Sequence, residues 1–277
     1  MKPSDIIKKY GIRAQKKLGQ NFLVDFNIKS KIISALNIDS TDTILEIGPG
    51  YGALTKEVLN LASEVYAVER DPKLCVVLND EFQGVSKLNI IHSDILKISI
   101  SDFAKGNKLK VLGNLPYYIT SKILFFLIEQ REFVSEAVLT MQREVADRIL
   151  AEPGSKEYGR LTVGIRFFAD AEKLFDIKPQ CFYPVPDVIS SVIKIKFDKQ
   201  INNAVDSDLF LGLVKVLFQE RRKSVLNGLK LLKNPLLDKE DRVLILEKAG
   251  VDINKRAEHL SIDEFCSIVK EIDEVCK

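Results

Sequence analysis

The chain is poor in the side chains that usually bind metals or form disulfide frameworks. Its 277 residues include only two histidines, His92 and His259, so a histidine-based metal site or catalytic triad is not expected. The four cysteines are Cys75, Cys181, Cys266 and Cys276. Their spacing is neither that of a zinc site nor that of a disulfide framework. We interpret them as idle or buried thiols in a reducing cytoplasm, and we predict no metal.

Long apolar runs are also missing. No run approaches the length of a membrane span, and residues 1–5 lack the apolar segment of a signal peptide, so we expect no membrane partner. The composition is otherwise that of a globular protein, with 46% hydrophobic and 29% charged residues. A chain of this length is expected to form one large domain, or one domain with a smaller companion.

Acidic residues are scarce in two places, although the net charge is only +2. Residues 1–20 contain a single acidic residue and six basic ones, which are Lys2, Lys8, Lys9, Arg13, Lys16 and Lys17. A second basic cluster is Arg221-Arg222-Lys223. Such clusters attract polyanions even when the total charge is small, whereas most charge runs are simply solvated surface.

Short apolar runs alternate with helical patterns between residues 43 and 197. The predicted strands are 43–47, 65–69, 89–92, 109–112, 137–140, 173–177 and 192–197. Alternation of this kind is typical of βαβ units, so we predict an α/β fold with a mostly parallel sheet and helices on both faces. The last two strands are expected to form an antiparallel edge hairpin, joined through Pro179, Pro184 and Pro186.

The strand pattern stops near residue 200. Helices are predicted over 208–219, 222–232, 239–249 and 262–275, and Ser261 with Glu264 forms a capping-box pattern before the last of them. We therefore predict two domains. Residues 1–200 form a ligand-binding α/β domain with a basic N-terminal tail, and residues 201–277 form a small all-helical domain.

The ends of the first four predicted strands carry polar residues in series. A loop with the spacing G-x-G-x-G, Gly48 to Gly52, follows the first strand; Glu69 ends the second, Asp94 follows the third and Asn114 follows the fourth. Ligands bind at this edge of open α/β sheets, and a carboxylate there accepts both hydroxyls of a ribose. Each acid alone is also typical of a helix N-cap. Because dinucleotide binders have G-x-G-x-x-G, the series favours S-adenosylmethionine over NAD.

The tetrapeptide Asn114-Leu115-Pro116-Tyr117 adds a specific chemistry at this edge. Its amide and carbonyl oxygens accept hydrogen bonds from an NH2 group, and its aromatic ring stacks on a flat base. The same four residues also form ordinary turns, so the tetrapeptide alone does not decide between these interpretations.

Further motifs extend along the chain. They are Gly19-Gln20-Asn21-Phe22-Leu23, the run from Glu46 to Thr55, Ser93-Asp94, Met141-Gln142-Arg143-Glu144-Val145-Ala146, Phe182 with Pro184 and Pro186, Arg221-Arg222-Lys223, and Arg256-Ala257-Glu258 with Leu260. With the tetrapeptide and Glu69, they resemble the rRNA adenine dimethyltransferase family over nearly the whole chain. The chain is most similar to the bacterial branch that dimethylates two adjacent adenosines in the 3'-terminal hairpin of small-subunit (16S) rRNA. The resemblance implies a Rossmann-like class I methyltransferase that uses S-adenosylmethionine and acts in ribosome biogenesis.

The resemblance also implies roles for individual residues. The implied cofactor-binding residues are Gln20, Asn21, Leu23, Gly48, Gly50, Glu69, Asp94, Ile95 and Asn114. Among them, Asn21 and Leu23 hold the methionine end, Glu69 the ribose and Asp94 the adenine. The implied catalytic residues are Asn114, Leu115, Pro116, Tyr117 and Phe182. Tyr117 stacks on the target base, and Phe182 either covers its other face or packs in the core.

The basic residues are expected to contact small-subunit rRNA. They are Lys8, Lys9, Lys16, Lys17, Arg221, Arg222 and Lys223. For the Arg221-Arg222-Lys223 cluster, an anchor between the helical domain and acidic residues of the catalytic domain is an equal alternative. Tyr118 stands where the family often has asparagine, and Asp187 where it favours lysine. The resemblance therefore does not give the substrate contacts near these two positions. A monomer is expected.

Three other functions compete. A large-subunit rRNA methyltransferase of the macrolide-resistance type shares the Gln20 to Leu23 run, the glycine loop and the Asn-x-Pro-Tyr element. An RNA-binding assembly factor with incidental catalysis is a second alternative. An NAD oxidoreductase is the most distant, because the glycine spacing and the scarcity of histidine oppose it.

Overall fold

The computed structural model describes residues 3–12, 15, 19–199, 205–232 and 239–275. The strands are β1 (Phe22–Leu23), β2 (Thr43–Ile47), β3 (Glu64–Glu69), β4 (Leu88–His92), β5 (Leu109–Asn114), β6 (Val134–Gln142), β7 (Asp170–Ile177), β8 (Phe182–Tyr183) and β9 (Ser190–Lys196). The α-helices are α1 (Pro3–Tyr10), α2 (Phe26–Ala35), α3 (Thr55–Val58), α4 (Pro72–Glu81), α5 (Ser101–Ala104), α6 (Thr120–Glu129), α7 (Arg143–Ile149), α8 (Arg160–Phe168), α9 (Ser207–Gln219), α10 (Val225–Leu229), α11 (Lys239–Lys248) and α12 (Ile262–Val275).

The chain divides into two compact units. The first comprises Met1–Ala146 and Ala169–Asp198, and the second comprises Asp147–Phe168 and Lys199–Lys277. The sequence had placed a single boundary at residue 200, so the segment 147–168 differs from that expectation. Its aromatic side chains explain the difference, because the ring of Phe167 stacks on Phe210 of α9 with centroids 3.7 Å apart.

The first unit is built on a seven-stranded sheet. The strand order is β4-β3-β2-β5-β6-β9-β7, with β4, β3, β2, β5 and β6 parallel and β9 antiparallel to both of its neighbours. The predicted α/β fold, the seven strands and the antiparallel pairing of the last two are confirmed. The strands extend one to three residues beyond several predicted ends, because pairing with a neighbour continues past the apolar run.

A second, two-stranded sheet was not predicted. In it, β1 pairs antiparallel with β8, so that Phe22 faces Tyr183 and Leu23 faces Phe182. This pairing attaches the segment that precedes the main sheet to the proline-containing loop before β9. Two residues are too short for an alternating pattern, so the sequence carries no signal for either strand.

One apolar cluster of the first unit lies between α2 and the sheet. Ile32 and Leu36 pack with Ile44 and Leu112 from the central strands. At the end of α2, the Lys194 ammonium lies 2.7 Å from Glu136 and donates to the Ala35 carbonyl at 2.8 Å. A cation at a helix C-terminus also interacts favourably with the helix dipole. The apolar contacts hold α2 on β2 and β5, and the contacts of Lys194 hold its end on β6 and β9.

The second unit is helical. Helices α8 to α12 enclose an aromatic core in which Phe265 contacts both Phe210 and Phe218. The predicted capping box is confirmed, since Ser261 N donates to Glu264 Oε2 at 2.8 Å and Glu264 N donates to Ser261 Oγ at 3.2 Å. The predicted helix over 222–232 is shorter, as α10 spans Val225–Leu229.

Within the described residues, no helix is long and apolar enough to cross a membrane. The same part of the chain has no cluster of three or more His, Cys, Asp or Glu side chains suited to a metal ion.

Candidate functional site

A cavity opens at the carboxyl ends of β2, β3, β4 and β5. Twelve of the residues predicted from the sequence line it, namely Gln20, Asn21, Leu23, Gly48, Gly50, Glu69, Asp94, Ile95, Asn114, Leu115, Pro116 and Tyr117. Parallel strands bring their carboxyl ends to one edge, and this is why the residues at the ends of β2 to β5 meet here.

Glu69 is a buried carboxylate at the end of β3. It is 6% exposed, and its two oxygens accept from Gly50 N at 3.1 Å and from Asp71 N at 2.8 Å. Burial raises the pKa of this carboxyl, while the two backbone hydrogen bonds oppose the rise. These bonds fix the carboxylate against the glycine loop, and each oxygen retains capacity for a further donor.

Glu46 is a second buried carboxylate in the same wall, and its role is not evident from the sequence. It lies in β2, and its Oε2 accepts from Thr55 Oγ1 at 2.6 Å. Burial raises the pKa of Glu46 to about 7; the Thr55 hydrogen bond opposes this effect, and the charge of Glu69 adds to it. Glu46 lies near the end of β2, as Glu69 lies at the end of β3. This position in the sequence could have identified Glu46 as a site residue.

Glycine is needed at two positions of the loop after β2, for a different reason at each. Gly48 has a φ of +66°, and a Cβ built there would meet nothing nearer than Asn114 O at 4.0 Å. Open space above Gly48 therefore admits a ligand close to the backbone. A Cβ on Gly50 would instead lie 3.1 Å from the Phe22 ring, so Gly50 permits tight packing of Phe22.

Asp94 caps a short helical turn and also faces the rim of the cavity. Its Oδ1 accepts from Leu96 N at 3.1 Å, which is the N-cap role weighed from the sequence. Its Oδ2 lies 3.6 Å from Arg70 Nη1. The carboxylate is therefore both a cap and part of the cavity wall, and the two interpretations are compatible. The next residue, Ile95, is buried and adds an apolar surface.

The orientation of the Asn114 amide is set by the N-terminal segment. Asn114 Nδ2 donates to the backbone carbonyl of Asn21 at 2.7 Å. The amide nitrogen is thereby engaged, which leaves Oδ1 as the group that accepts a donor from the cavity. Asn21 thus acts on this site through its backbone oxygen as well as by lining the cavity.

The rest of the tetrapeptide is held by its own hydrogen bonds. The Pro116 carbonyl accepts from Ile119 N at 3.2 Å and from Thr120 Oγ1 at 3.1 Å, which uses both of its lone pairs. The Tyr117 hydroxyl pairs with Ser190 Oγ at 2.8 Å, and burial raises its pKa. The ring of Tyr117 is therefore a fixed surface of the cavity.

Phe182 does not line the cavity. It is 2% exposed and packs in the apolar core with Leu23 and Ile32, so the expectation that it covers the target base is not supported. Core packing was the alternative, and the structure places the ring there. The β1–β8 pairing explains this placement, because Phe182 lies opposite Leu23, which is also buried.

The N-terminal segment is held on α4 by polar contacts. The Gln20 side chain donates to Asp71 Oδ2 at 3.0 Å and accepts from Gln15 N at 2.8 Å, so both ends of its amide are engaged. Lys9 Nζ lies 3.0 Å from Glu81 and 3.3 Å from Asp80, while Lys8 is exposed. Lys16 and Lys17 lie outside the described residues.

Arg221 joins two of the predicted motifs within the second unit. Its Nε donates to Glu258, and its Nη2 donates to the Lys156 carbonyl at 2.8 Å. Glu258 belongs to this same unit, so the structure does not support an anchor from Arg221 to acids of the catalytic domain. Arg222 and Lys223 are exposed, and Lys223 lies 3.3 Å from Glu220.

Two rim residues of the cavity were missing from the predicted site. Arg70 directly follows Glu69, and Tyr118 directly follows the tetrapeptide. Both could have been predicted from the sequence, because each is adjacent to a predicted site residue. In the sequence, Tyr118 stands out only as a departure from the family.

Comparison with known proteins agrees with this geometry. A sequence model described as ribosomal RNA adenine dimethylase matches residues 11–274. The chain is 40% identical to a ribosomal RNA small subunit methyltransferase A of Clostridium botulinum, over 96% of both chains. It is also 40% identical to the protein of that name from Shouchella clausii, over 95% of this chain and 91% of that one.

Two solved structures extend the comparison. A dimethyladenosine transferase from Plasmodium falciparum has a TM-score of 0.79 and 28% identity, and the match covers 92% of this chain and 98% of that one. The 23S rRNA methyltransferase ErmE, at 24% identity and a TM-score of 0.67, shares the fold over 91% of this chain and all of its own. By sequence and by fold, the chain belongs to the ribosomal RNA adenine dimethylase family.

Proposed function

We propose that this chain transfers methyl groups from S-adenosylmethionine to the exocyclic amines of two adjacent adenosines in the 3'-terminal hairpin of small-subunit (16S) rRNA. The product is N6,N6-dimethyladenosine, formed in the cytoplasm during ribosome biogenesis by a monomeric enzyme. The names of the relatives at 40% identity support the choice of the small subunit. The orientation of the Asn114 amide carries the chemical part of the proposal.

Members of this family use S-adenosylmethionine, and the residues of the cavity fit it. The open space above Gly48 suits close approach of a ligand, and the Glu69 carboxylate suits two ribose hydroxyls. Asp94 Oδ2 and Ile95 suit the adenine, while Asn21 and Leu23 lie where the methionine end is expected. When bound, the cofactor supplies a methyl group on a sulfonium.

The Gln20 side chain has a different part in this proposal. Because its amide is engaged by Asp71 and Gln15, we assign to it the support of the segment that carries Asn21. Gly50 likewise acts through the packing of Phe22. Both residues therefore shape the cofactor site by positioning the segments that form its wall.

The chemistry requires that a weak nucleophile be made reactive. The lone pair of the exocyclic nitrogen of adenine is delocalised into the ring. A hydrogen bond from the amine to Asn114 Oδ1 and a second one to a main-chain carbonyl localise that lone pair and aim it. We assign the second acceptor to Leu115, because the Pro116 carbonyl is already engaged by Ile119 and Thr120.

Tyr117 provides the surface for the target base. Its hydroxyl bond to Ser190 fixes the ring before the base arrives, and stacking on such a ring contributes about 1–3 kcal/mol per base. No strong general base is needed, since the product nitrogen is acidic while it is cationic and loses its proton to solvent. Position and electrostatics then supply most of the rate.

Basic residues outside the cavity complete the RNA contact. We assign Lys8, Lys16, Lys17, Arg222 and Lys223 to phosphates, and we give Lys9 and Arg221 a smaller part because the structure pairs them with acids. Phosphate contacts of this kind position the substrate without reading its sequence.

The deciding experiment is methyl transfer from labelled S-adenosylmethionine to undermethylated small ribosomal subunits. Large-subunit rRNA is assayed in parallel, and the product nucleosides are resolved. We expect dimethyladenosine in the small-subunit rRNA alone. Label in the large-subunit rRNA would move the chain to the resistance-type branch. Cofactor binding without label in either RNA would favour an assembly role without catalysis.

A further inference from the structure

A tyrosine and an arginine stand together at the mouth of the cavity, and the proposed chemistry uses neither. Tyr118 is 49% exposed, and the side chain of Arg70 is 54% exposed. Arg70 Nη1 donates to the Tyr118 hydroxyl at 3.3 Å. Both residues also line the cavity, so the pair forms part of its rim.

The backbone turns Tyr117 and Tyr118 in different directions. Both belong to the 3-10 turn Tyr117–Ile119, in which successive side chains point about 120° apart because there are three residues per turn. The hydroxyl of Tyr117 is held by Ser190 and its ring is half-buried. Tyr118 is therefore directed away from that position and presents its ring to solvent at the mouth.

The ring of Tyr118 is held before any ligand binds. A Cβ on Gly19 would lie 3.3 Å from Tyr118 Cδ1, so the backbone of Gly19 lies directly against the ring. Arg70 holds the hydroxyl and is itself placed 3.6 Å from Asp94 Oδ2. A ring that is already ordered loses little conformational entropy when it stacks on a ligand.

We propose that Tyr118 stacks on the nucleotide next to the target adenosine, with Arg70 facing the phosphate of that nucleotide. The inference rests on the proposed function. Extruding the target base exposes a face of its neighbour, and an ordered aromatic ring at the mouth replaces the stacking that is lost. Because the two target adenosines are adjacent, one of them is the nucleotide that Tyr118 meets when the other occupies the cavity.

The combination of ring and cation favours a nucleotide over other ligands. A base stacks on the ring plane, and the guanidinium, which has five N–H donors, binds a phosphate oxygen while it keeps its contact to Tyr118. The tyrosine and the arginine thus supply one contact for each chemically distinct part of a nucleotide.

The first test compares variants on undermethylated small subunits. Tyr118→Leu keeps bulk against Gly19 without an aromatic plane, and we expect it to raise KM for the subunits about 5- to 100-fold. Tyr118→Phe keeps the ring and is expected to stay within about 2-fold of the wild type, since stacking does not need the hydroxyl. Leu61→Ala, a 43% exposed apolar residue at the amino ends of the strands, is the control and should change nothing.

Two further measurements separate stacking from other roles. The Kd for S-adenosylmethionine, measured by calorimetry, and the melting temperature should be the same in Tyr118→Leu and in the wild type. If the Kd for the cofactor rises in place of KM for the subunits, Tyr118 belongs to the cofactor pocket and the proposal is wrong. A loss in Tyr118→Phe as large as in Tyr118→Leu would assign the effect to the hydroxyl and also overturn it.

The second test asks whether Tyr118 and the neighbouring base act together. Small subunits are assembled with an abasic site in place of one or the other of the two adenosines. We expect one of the two abasic sites, the one on the side of the target that Tyr118 faces, to lower kcat/KM for the wild-type enzyme and to have little further effect on Tyr118→Leu, because both changes remove the same contact. If the losses in kcat/KM from the abasic site and from Tyr118→Leu multiply for both substrates, the proposal is wrong. Dimethylation of normal subunits by the wild-type enzyme would then still support the proposed function. A wild-type enzyme that labels no small subunit would overturn the proposed function and this inference together.

Discussion

Two groups of residues near the cavity reach their positions in different ways. One group ends the strands, and the other belongs to the N-terminal segment, residues 3–23. Glu69 and Asn114 lie in the cavity because the sheet brings strand ends to one edge. In the N-terminal segment, Gln20 and Lys9 direct their side chains to acidic residues of α4 or its cap. The comparison teaches that sheet topology places the first group, whereas the second is placed by contacts that leave no local pattern.

The largest expected effect comes from a strand-end residue. Asn114→Ala removes the amide oxygen assigned to the target amine, and we expect kcat to fall by about 100- to 1000-fold, the scale of losing one positioned hydrogen-bonding group. Labelled methyl transfer measures this loss. Asn79→Ala is the control, because that amide donates to Cys75 O within α4 and lies outside the cavity. Near-normal transfer by Asn114→Ala would end the acceptor role.

A smaller effect is expected at the end of β3. Glu69→Ala removes both proposed ribose contacts and should weaken cofactor binding by roughly 1.5–3 kcal/mol, the range for hydrogen bonds to charged groups. Calorimetry with S-adenosylmethionine measures the change. Glu64→Ala, at the opposite end of the same strand and paired with Lys105, should leave the affinity unchanged. Equal losses in the two variants would show that β3 as a whole is disturbed and that Glu69 has no specific part.

The smallest effect is expected in the N-terminal segment, where two adjacent lysines form a matched pair. Lys8 is exposed, so Lys8→Ala should reduce the salt slope of RNA binding by about 0.7–0.9, the contribution of one phosphate contact. Lys9 is already paired with Glu81 and Asp80, so Lys9→Ala should reduce the slope less. RNA affinity across a salt series provides the measurement. The same reduction for both lysines would mean that the ion pairs seen here open when RNA binds.

Much of the fold was predictable because it follows from repeating patterns. The seven strands of the main sheet carry apolar runs bounded by polar turns, and the capping box at Ser261 and Glu264 is a local signal. The strands β1 and β8 are too short to carry a period. Segment 147–168 looks like any other helical stretch, and its place in the second unit rests on contacts between distant residues, such as that of Phe167 with Phe210.

The site was predictable where position alone decides it. Gly48, Glu69, Asp94 and Asn114 each end or follow a strand, and all four line the cavity. The sequence did not indicate that Phe182 faces the core, because a ring in a two-residue strand has no alternation from which to read its side. The choice between the Leu115 and Pro116 carbonyls likewise depends on Thr120, whose hydroxyl direction only the structure provides.

The pairing of β1 with β8 has a consequence for the order in which the molecule is completed during synthesis. Phe22 and Leu23 are made well before their strand partners, Tyr183 and Phe182, which come near the end of the first unit. Contacts between residues so far apart in sequence form slowly, since a long stretch of chain must first be closed into a loop. The cavity wall that includes Asn21 is therefore fixed late, and a nascent chain that stops short of residue 182 lacks the strand that holds it.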